Sequence, residues 1–236
     1  MKNSGISSSF VLGFFIALGL IVFGYELSES FLKAKSLERT VSVKGLAEEY
    51  VKADVAIFPI TLQVADNDLN YLNTKLKSDL KKTLDFLRSR GFADSEISYT
   101  APVVNDKLAN SYGNSNIKLR YSARVTVTVY TKKIDKVLKL QKELLKLNEE
   151  GVLIKVDPYN IQYIYTKLNS IKPKMIEKAT QNARKAAQKF AKDSHSKLGK
   201  IKQAFQGYFS ITDRDSNTPY IKKVRVVTNV IYYLDD

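Results

Sequence analysis

Residues 117–131 read IKLRYSARVTVTVYT. Ile117, Leu119, Tyr121, Ala123, Val125, Val127 and Val129 share one parity, and Lys118, Arg120, Ser122, Arg124, Thr126 and Thr128 share the other. Successive side chains of a strand point to opposite faces, so this alternation predicts a long strand with one dry face and one wet or interfacial face. A sheet wet on one side is typically antiparallel, and its dry side needs a cover. Helical periods supply three covers. Asp68 reads as an N-cap before Leu69, Leu72, Leu76, Leu80, Leu84 and Leu87, with Gly91 closing the helix. A second helix spans Ile134 to Asn148 and ends at Gly151, and a third runs from about Pro173 to Ser196.

Outward from these, Thr40 to Lys44 alternates as a short strand and Tyr50 to Val64 as a longer one. The apolar phase of the longer run flips at Phe58-Pro59, which predicts a bulge there. Ile97 to Val104 is a strand, residues 105–116 (NDKLANSYGNSN) a hairpin tip, and Val152 to Tyr165 a strand broken at Asp157-Pro158. Ile201 to Ile211 and Lys222 to Leu234 complete the order β-β-α-β-β-α-β-α-β-β. The fold class is α+β, with antiparallel sheet packed against about three helices.

Phe10 to Tyr25 is a charge-free run, FVLGFFIALGLIVFGY, and Ile6 to Ser9 extend it to membrane-spanning length. The exit Gly24-Tyr25-Glu26-Leu27-Ser28 lacks the small-residue pair of a cleavage site, so an uncleaved anchor is expected ahead of a cleaved signal or a core helix. Lys2 precedes the run and Glu26 and Glu29 follow it, which puts the N-terminus in the cytoplasm. The organisation expected is a tail over 1–9, an anchor over 10–25, a stalk over 26–38 and one α+β domain over 39–236. The bulk of the chain then lies outside the inner membrane, in the periplasm.

Composition narrows the chemistry. The chain has no cysteine and one histidine, which removes thiol catalysis, disulfides and multi-histidine metal motifs. The formal net charge of +14 would suit nucleic acid, but export argues against that partner and for an anionic envelope surface. No nucleophile-elbow, phosphate-loop, zinc-protease or dinucleotide pattern is present, so no enzyme activity, catalytic residue, cofactor or metal is expected.

Four stretches in order resemble the SIMPL-domain family, once called domain of unknown function 541, and its YggE-like bacterial envelope branch. They are residues 40–64 (TVSVKGLAEEYVKADVAIFPITLQV, around the acidic Asp54), 117–140 (IKLRYSARVTVTVYTKKIDKVLKL), 179–201 (ATQNARKAAQKFAKDSHSKLGKI) and 224–234 (VRVVTNVIYYL). The resemblance spans Arg39 to Leu234. It implies an α+β fold, an envelope location and self-assembly, with a link in some relatives to oxidative-stress resistance. It implies no enzyme chemistry. One departure is that Ser194-His195-Ser196 stands where the family usually has a glycine, so the helix is expected to run longer here.

Three candidate sites stand out. Between Ile171 and Ile201 nine Lys or Arg face only Glu177 and Asp193. Ile176, Ala179, Ala183, Ala186 and Phe190 form a narrow apolar seam, with Lys174, Lys178, Lys185, Lys189 and Lys192 projecting elsewhere. These five lysines are the candidate contact for an anionic surface, weighed against a plain solvated face. Asp213, Asp215 and Asn217 resemble the start of a calcium loop, but Thr218 and Val224 replace the glycine and the bidentate glutamate, so a loop without metal is expected. His195, alone at a helix end, is expected to be exposed. The functional expectation is therefore a self-associating, membrane-anchored envelope protein, with binding of an anionic envelope component as the alternative.

Overall fold

The computed structural model describes residues 4–36, 39–109 and 117–235. Most of the hairpin tip expected over 105–116 therefore lies outside the described residues, as do parts of the tail and stalk. In chain order the elements are α1 (Ser4–Ser36), β1 (Thr40–Lys52), β2 (Val55–Asp66), α2 (Leu69–Ser89), β3 (Ile97–Tyr99), β4 (Val103–Asp106), β5 (Tyr121–Thr131), α3 (Ile134–Glu143), α4 (Leu145–Glu149), β6 (Ile154–Lys155), β7 (Gln162–Ile164), α5 (Leu168–Asp193), β8 (Lys197–Gln206), β9 (Ser210–Asp213) and β10 (Ile221–Asp235). The class is α+β with antiparallel sheets. In α1, Val11–Phe31 is long and apolar enough to cross a membrane and is not buried against the rest of the chain.

The chain divides into two compact units, residues 1–47, 174–209 and 226–236 in one and 48–173 and 210–225 in the other. The first holds a sheet in the order β1-β10-β8. Helix α5 lies on it through Met175, Ala179, Ala183, Ala187 and Ala191, all buried. Val43, Ala183, Ala187, Val230 and Tyr232 form this unit's small core. Alanine and glycine allow a very close approach: a Cβ on Gly45 would stand 1.9 Å from the Ala179 carbonyl oxygen.

The second unit is a six-stranded sheet centred on β2 and β5, which pair without interruption from Ala56↔Thr131 to Asp66↔Tyr121. β3 and β4 flank β5, and β6 and β7 flank β2. Phe58, Ile60 and Leu62 of β2 and Val125, Val127 and Val129 of β5 bury one face against Leu72, Leu76 and Leu87 of α2 and Val137 and Leu140 of α3. Asp68 caps α2 as expected, accepting from the N–H groups of Asn70 and Tyr71. Gly91 and Gly151 both have positive φ, +80° and +78°, as helix-closing residues should.

Several boundaries differ from the sequence reading. Tyr50 to Val64 is not one strand, because the chain breaks at Ala53-Asp54 between β1 and β2. That break, and no bulge at Pro59, resets the apolar phase. The Asp54 carboxylate fixes it by accepting from the N–H and hydroxyl of Thr166, both at 2.8 Å. Proline is tolerated at position 59 for a directional reason. Gln63 donates its N–H to Leu153, away from β5. Backbone direction alternates along an antiparallel strand, so Pro59 also points away from β5. It faces the gap between β6 and β7, where no ladder bond is lost.

The Ile97–Val104 strand is interrupted before Pro102, giving β3 and β4. The second helix is two pieces joined at Leu144, where Leu147 N–H bonds three residues back to Leu144 instead of four. Among the described residues four α-helices therefore follow α1, not three. The third expected helix starts at Leu168, and Pro173 sits inside it, past the first turn. Its seam also rotates. Phe190 is 59% exposed and Ile176 and Ala186 are half-buried, while Met175, Ala187 and Ala191 take their places. A strict four-residue spacing advances about 40° per step around a helix, so the buried line crosses the sheet obliquely.

The helix does not run longer at its end. Ser196 N–H bonds the Ala191 carbonyl and His195 N–H that of Lys192, which is the usual C-terminal closure, with His195 at φ +58°. A non-glycine residue in that region costs roughly 1–2 kcal/mol. His195→Gly is expected to raise stability by about 1 kcal/mol, read as a higher urea midpoint at unchanged slope.

A second expectation concerns acid. Burial pushes the Glu96 carboxyl up, but hydrogen bonds from Lys133, Thr131 and the Ala93 N–H outweigh that and hold it down at about 2. A lowered folded pKa gives stability that is complete above the unfolded value of 4.5 and is lost as pH falls toward 2. Glu96→Gln is expected to remove on the order of 2 kcal/mol at neutral pH and to flatten the loss of stability between those two values, measured by urea titration across pH.

Candidate functional site

The five lysines singled out in the sequence are brought together on one line. At about 100° per residue, Lys174, Lys178, Lys185, Lys189 and Lys192 fall within an arc of roughly 60° on α5. All five are exposed, on the side of the helix away from the alanine seam. Glu177 lies off this arc and engages Gln181.

A second basic feature was not singled out from sequence. Lys52, Asp54, Lys132, Lys133, Asp135, Lys136 and Lys167 line an open cleft of about 500 Å³. Most of its charge is internally committed. Lys52 pairs with Asp135 at 2.7 Å, Lys133 with Glu96 at 2.6 Å, and Asp54 takes both Thr166 donors. The cleft offers cationic surface, and its two carboxylates, Asp54 and Asp135, are held by Thr166 and Lys52. Its lysines come from three separate chain segments, which explains why composition windows miss it. The local run Thr131-Lys132-Lys133-Ile134-Asp135-Lys136 is the one sequence signal that could have flagged it.

The acidic loop is occupied by protein donors. Asp215 accepts from the Thr218 hydroxyl, from Arg214 and from the N–H groups of Thr218 and Asn217, interactions that outweigh desolvation and hold its pKa at about 2. Asp213 pairs with Lys222. Among the described residues no cluster of His, Asp and Glu could hold a metal. His195 is exposed at the end of α5.

The most distinctive surface is a strand edge. β8 has β10 on one side and, among the described residues, no strand on the other. Nearly all of its ten residues are exposed, with Ile201 at 49% and Phe205 at 50%. The opposite edge strand, β1, differs: α5 packs over Gly45, and Asn182 donates to the Leu46 carbonyl.

This arrangement can be set beside known proteins. A family model described as SIMPL, protein of unknown function (DUF541), matches residues 41–228. The chain belongs to the SIMPL family. No curated protein matches it. The match runs from β1 into β10 and leaves out α1. Within the SIMPL domain, Asp54 anchors the break between β1 and β2, a structural role. Ser194-His195-Ser196 closes α5 through a left-handed residue, His195, at φ +58°. Ile201 to Ile211, expected as one strand, is the second half of β8 and the start of β9, with a break over 207–209. The lack of a neighbour beside β8 is a topological fact that no local pattern encodes.

Proposed function

We propose that this SIMPL-domain protein is a non-enzymatic, membrane-anchored envelope protein that self-associates through β8. The open edge of β8, exposed on both faces, is the observation that supports this most directly. An unpaired edge of that length is a template for another strand, and proteins that keep one exposed use it or guard it. Closed, symmetric pairing with a second copy uses it safely. The apolar helix α1 supports anchoring in the inner membrane with the domain in the periplasm. A structural role there would support envelope integrity and, through it, resistance to oxidative stress, without redox turnover by the domain.

The full chain in mild detergent is the material for a test by sedimentation velocity at two salt concentrations. Assembly is expected to be weaker in low salt, because a net charge of +14 repels at long range, and firmer near physiological ionic strength. A monomer at high protein concentration in both buffers rejects self-association.

The alignment of five exposed lysines on α5 favours a second reading, contact with an anionic envelope component. It has the opposite salt dependence, since screening weakens attraction to an acidic partner.

A further inference from the structure

The start of β1, the end of β10 and the start of β8 all lie at one end of the first unit. Leu234 N–H donates to the Arg39 carbonyl at 2.8 Å, and Asp235 stands opposite Lys197. Helix α5 ends there too. It runs antiparallel to β1, because Gly45 meets Ala179 and Ala183 while Val43 clusters with Ala183 and Ala187. Three residues, Ser194 to Ser196, then join its last turn to β8. This end therefore gathers Arg39, Lys189, Lys192 and Lys197 against Asp193 and Asp235, and all four cations are exposed. Phe190 stands beside them, 59% exposed in the last turn and a half of α5.

The same end is where the chain leaves for the apolar helix. From Phe31, the last residue of the apolar stretch, α1 continues to Ser36, and three further residues reach Arg39. At 1.5 Å per helical residue and about 3.5 Å per extended one, Arg39 lies no more than roughly 18 Å along the chain from Phe31, or roughly 27 Å from Tyr25. The polar headgroup layer takes up about 5–8 Å of that distance. The sequence adds Lys33 and Lys35 within the connection. A basic, aromatic-bearing end is thus tethered close to the bilayer by a short connection.

We propose that this end of the domain, with Lys189, Phe190, Lys192 and Lys197 at its centre, docks on the anionic phospholipid headgroups of the bilayer that α1 spans. The inference rests on the anchoring reading and names the partner of the lysine line: its membrane-proximal half, not its whole length. Lysine ammonium groups would meet phosphate, and the Phe190 ring would enter the interfacial layer where aromatic side chains partition. Each lysine near such a surface is worth about fivefold in the docked population.

The chain contains no tryptophan, so Phe190→Trp places a single indole at the contact. The full-length variant is reconstituted into vesicles of phosphatidylcholine alone or mixed with phosphatidylglycerol, each carrying a brominated-lipid quencher. The expected result is blue-shifted, quenched emission in the anionic vesicles only. Adding Lys189→Ala and Lys192→Ala should lower the docked population about 25-fold, and high salt should act in the same direction. Circular dichroism melting controls for folding, since all three positions are exposed. Emission that is the same in both vesicles, or unmoved by the lysine substitutions, overturns the proposal. Flotation separates the two readings. A chain that floats with neutral vesicles but shows no anion-dependent quenching keeps its anchor and loses the docking end, whereas a chain that floats with neither loses both.

Discussion

Ala204→Pro is expected to weaken self-association of the full chain about tenfold or more while leaving its stability within about 0.5 kcal/mol of the parent. The reason is the direction of the backbone. Gly207 donates its N–H to Val227 of β10. Pairing stays in register from Thr228↔Gln206 to Ile231↔Gln203, so backbone polar groups alternate cleanly over this stretch. Phe205 and Gln203 therefore point to β10, and Ala204 and Gln206 point to the open edge. Proline at 204 removes a donor that the monomer does not use and places its ring where a second strand would have to pair. Phe205→Pro would strike the inward ladder instead, so it should lower stability as well as assembly. The pair of variants separates an interface defect from a folding defect.

The stretch of β8 that stays in register with β10, Gln203 to Gln206, restricts how two copies can meet. Edges that pair must put outward-pointing residues opposite one another, so a two-fold axis falls on a residue. An axis at Ala204 sets Ala204 opposite its own copy and Gln203 opposite Phe205, inside the stretch that stays in register with β10. Sedimentation equilibrium is the decisive measurement: a shift of the association midpoint of about tenfold or more is expected for Ala204→Pro, equivalent to losing roughly 1.4 kcal/mol. An unchanged midpoint would place the contact elsewhere.

Sequence and structure agree where a local rule fixes the outcome. The α2 leucines, the Asp68 cap, the turns at Gly91 and Gly151 and the β5 alternation all report the period or φ of their own segment, and all are found, although β5 begins at Tyr121 and not at Ile117. Disagreement appears where a distant residue decides. The break at Ala53-Asp54 depends on Thr166, 112 positions away. Pro59 reads as a bulge because its local signature is the same whether it faces a paired strand or a gap. Pro173 reads as a helix start, yet Leu168 begins one turn earlier. For the candidate site, the line of lysines was legible because it lies on one helix, whereas the lysine cleft draws on three segments and the β8 edge on strand order. Phe190 illustrates the remaining ambiguity. A seam at spacings of 3 and 4 includes it, but a helix that crosses its sheet obliquely leaves it outside.

The tightest contact in the first unit yields the largest stability effect. Gly45 is buried beneath α5, and an added Cβ would approach the Ala179 carbonyl oxygen to 1.9 Å, Ala183 N to 2.7 Å and Ala183 Cβ to 2.8 Å. Two of these are backbone atoms of a helix, which cannot turn aside as a side-chain tip can. Relief requires the helix to lift off the strand. Lifting it would loosen the packing of Ala179, Ala183 and Ala187, which are fully buried, against Val43 and Val230. Overpacking of a core costs typically 1–3 kcal/mol, and a clash against backbone belongs at or above the top of that range. Gly45→Ala is therefore expected to cost about 3 kcal/mol, seen as a lower urea midpoint and as lost hydrogen-exchange protection in α5 and β1. Ala183→Leu, which enlarges the same contact from the helix side, should do the same. Because both variants strain one contact, their combined effect should fall short of the sum. Full additivity, or a Gly45→Ala chain as stable as the parent, would mean that α5 does not rest on Gly45 at this distance.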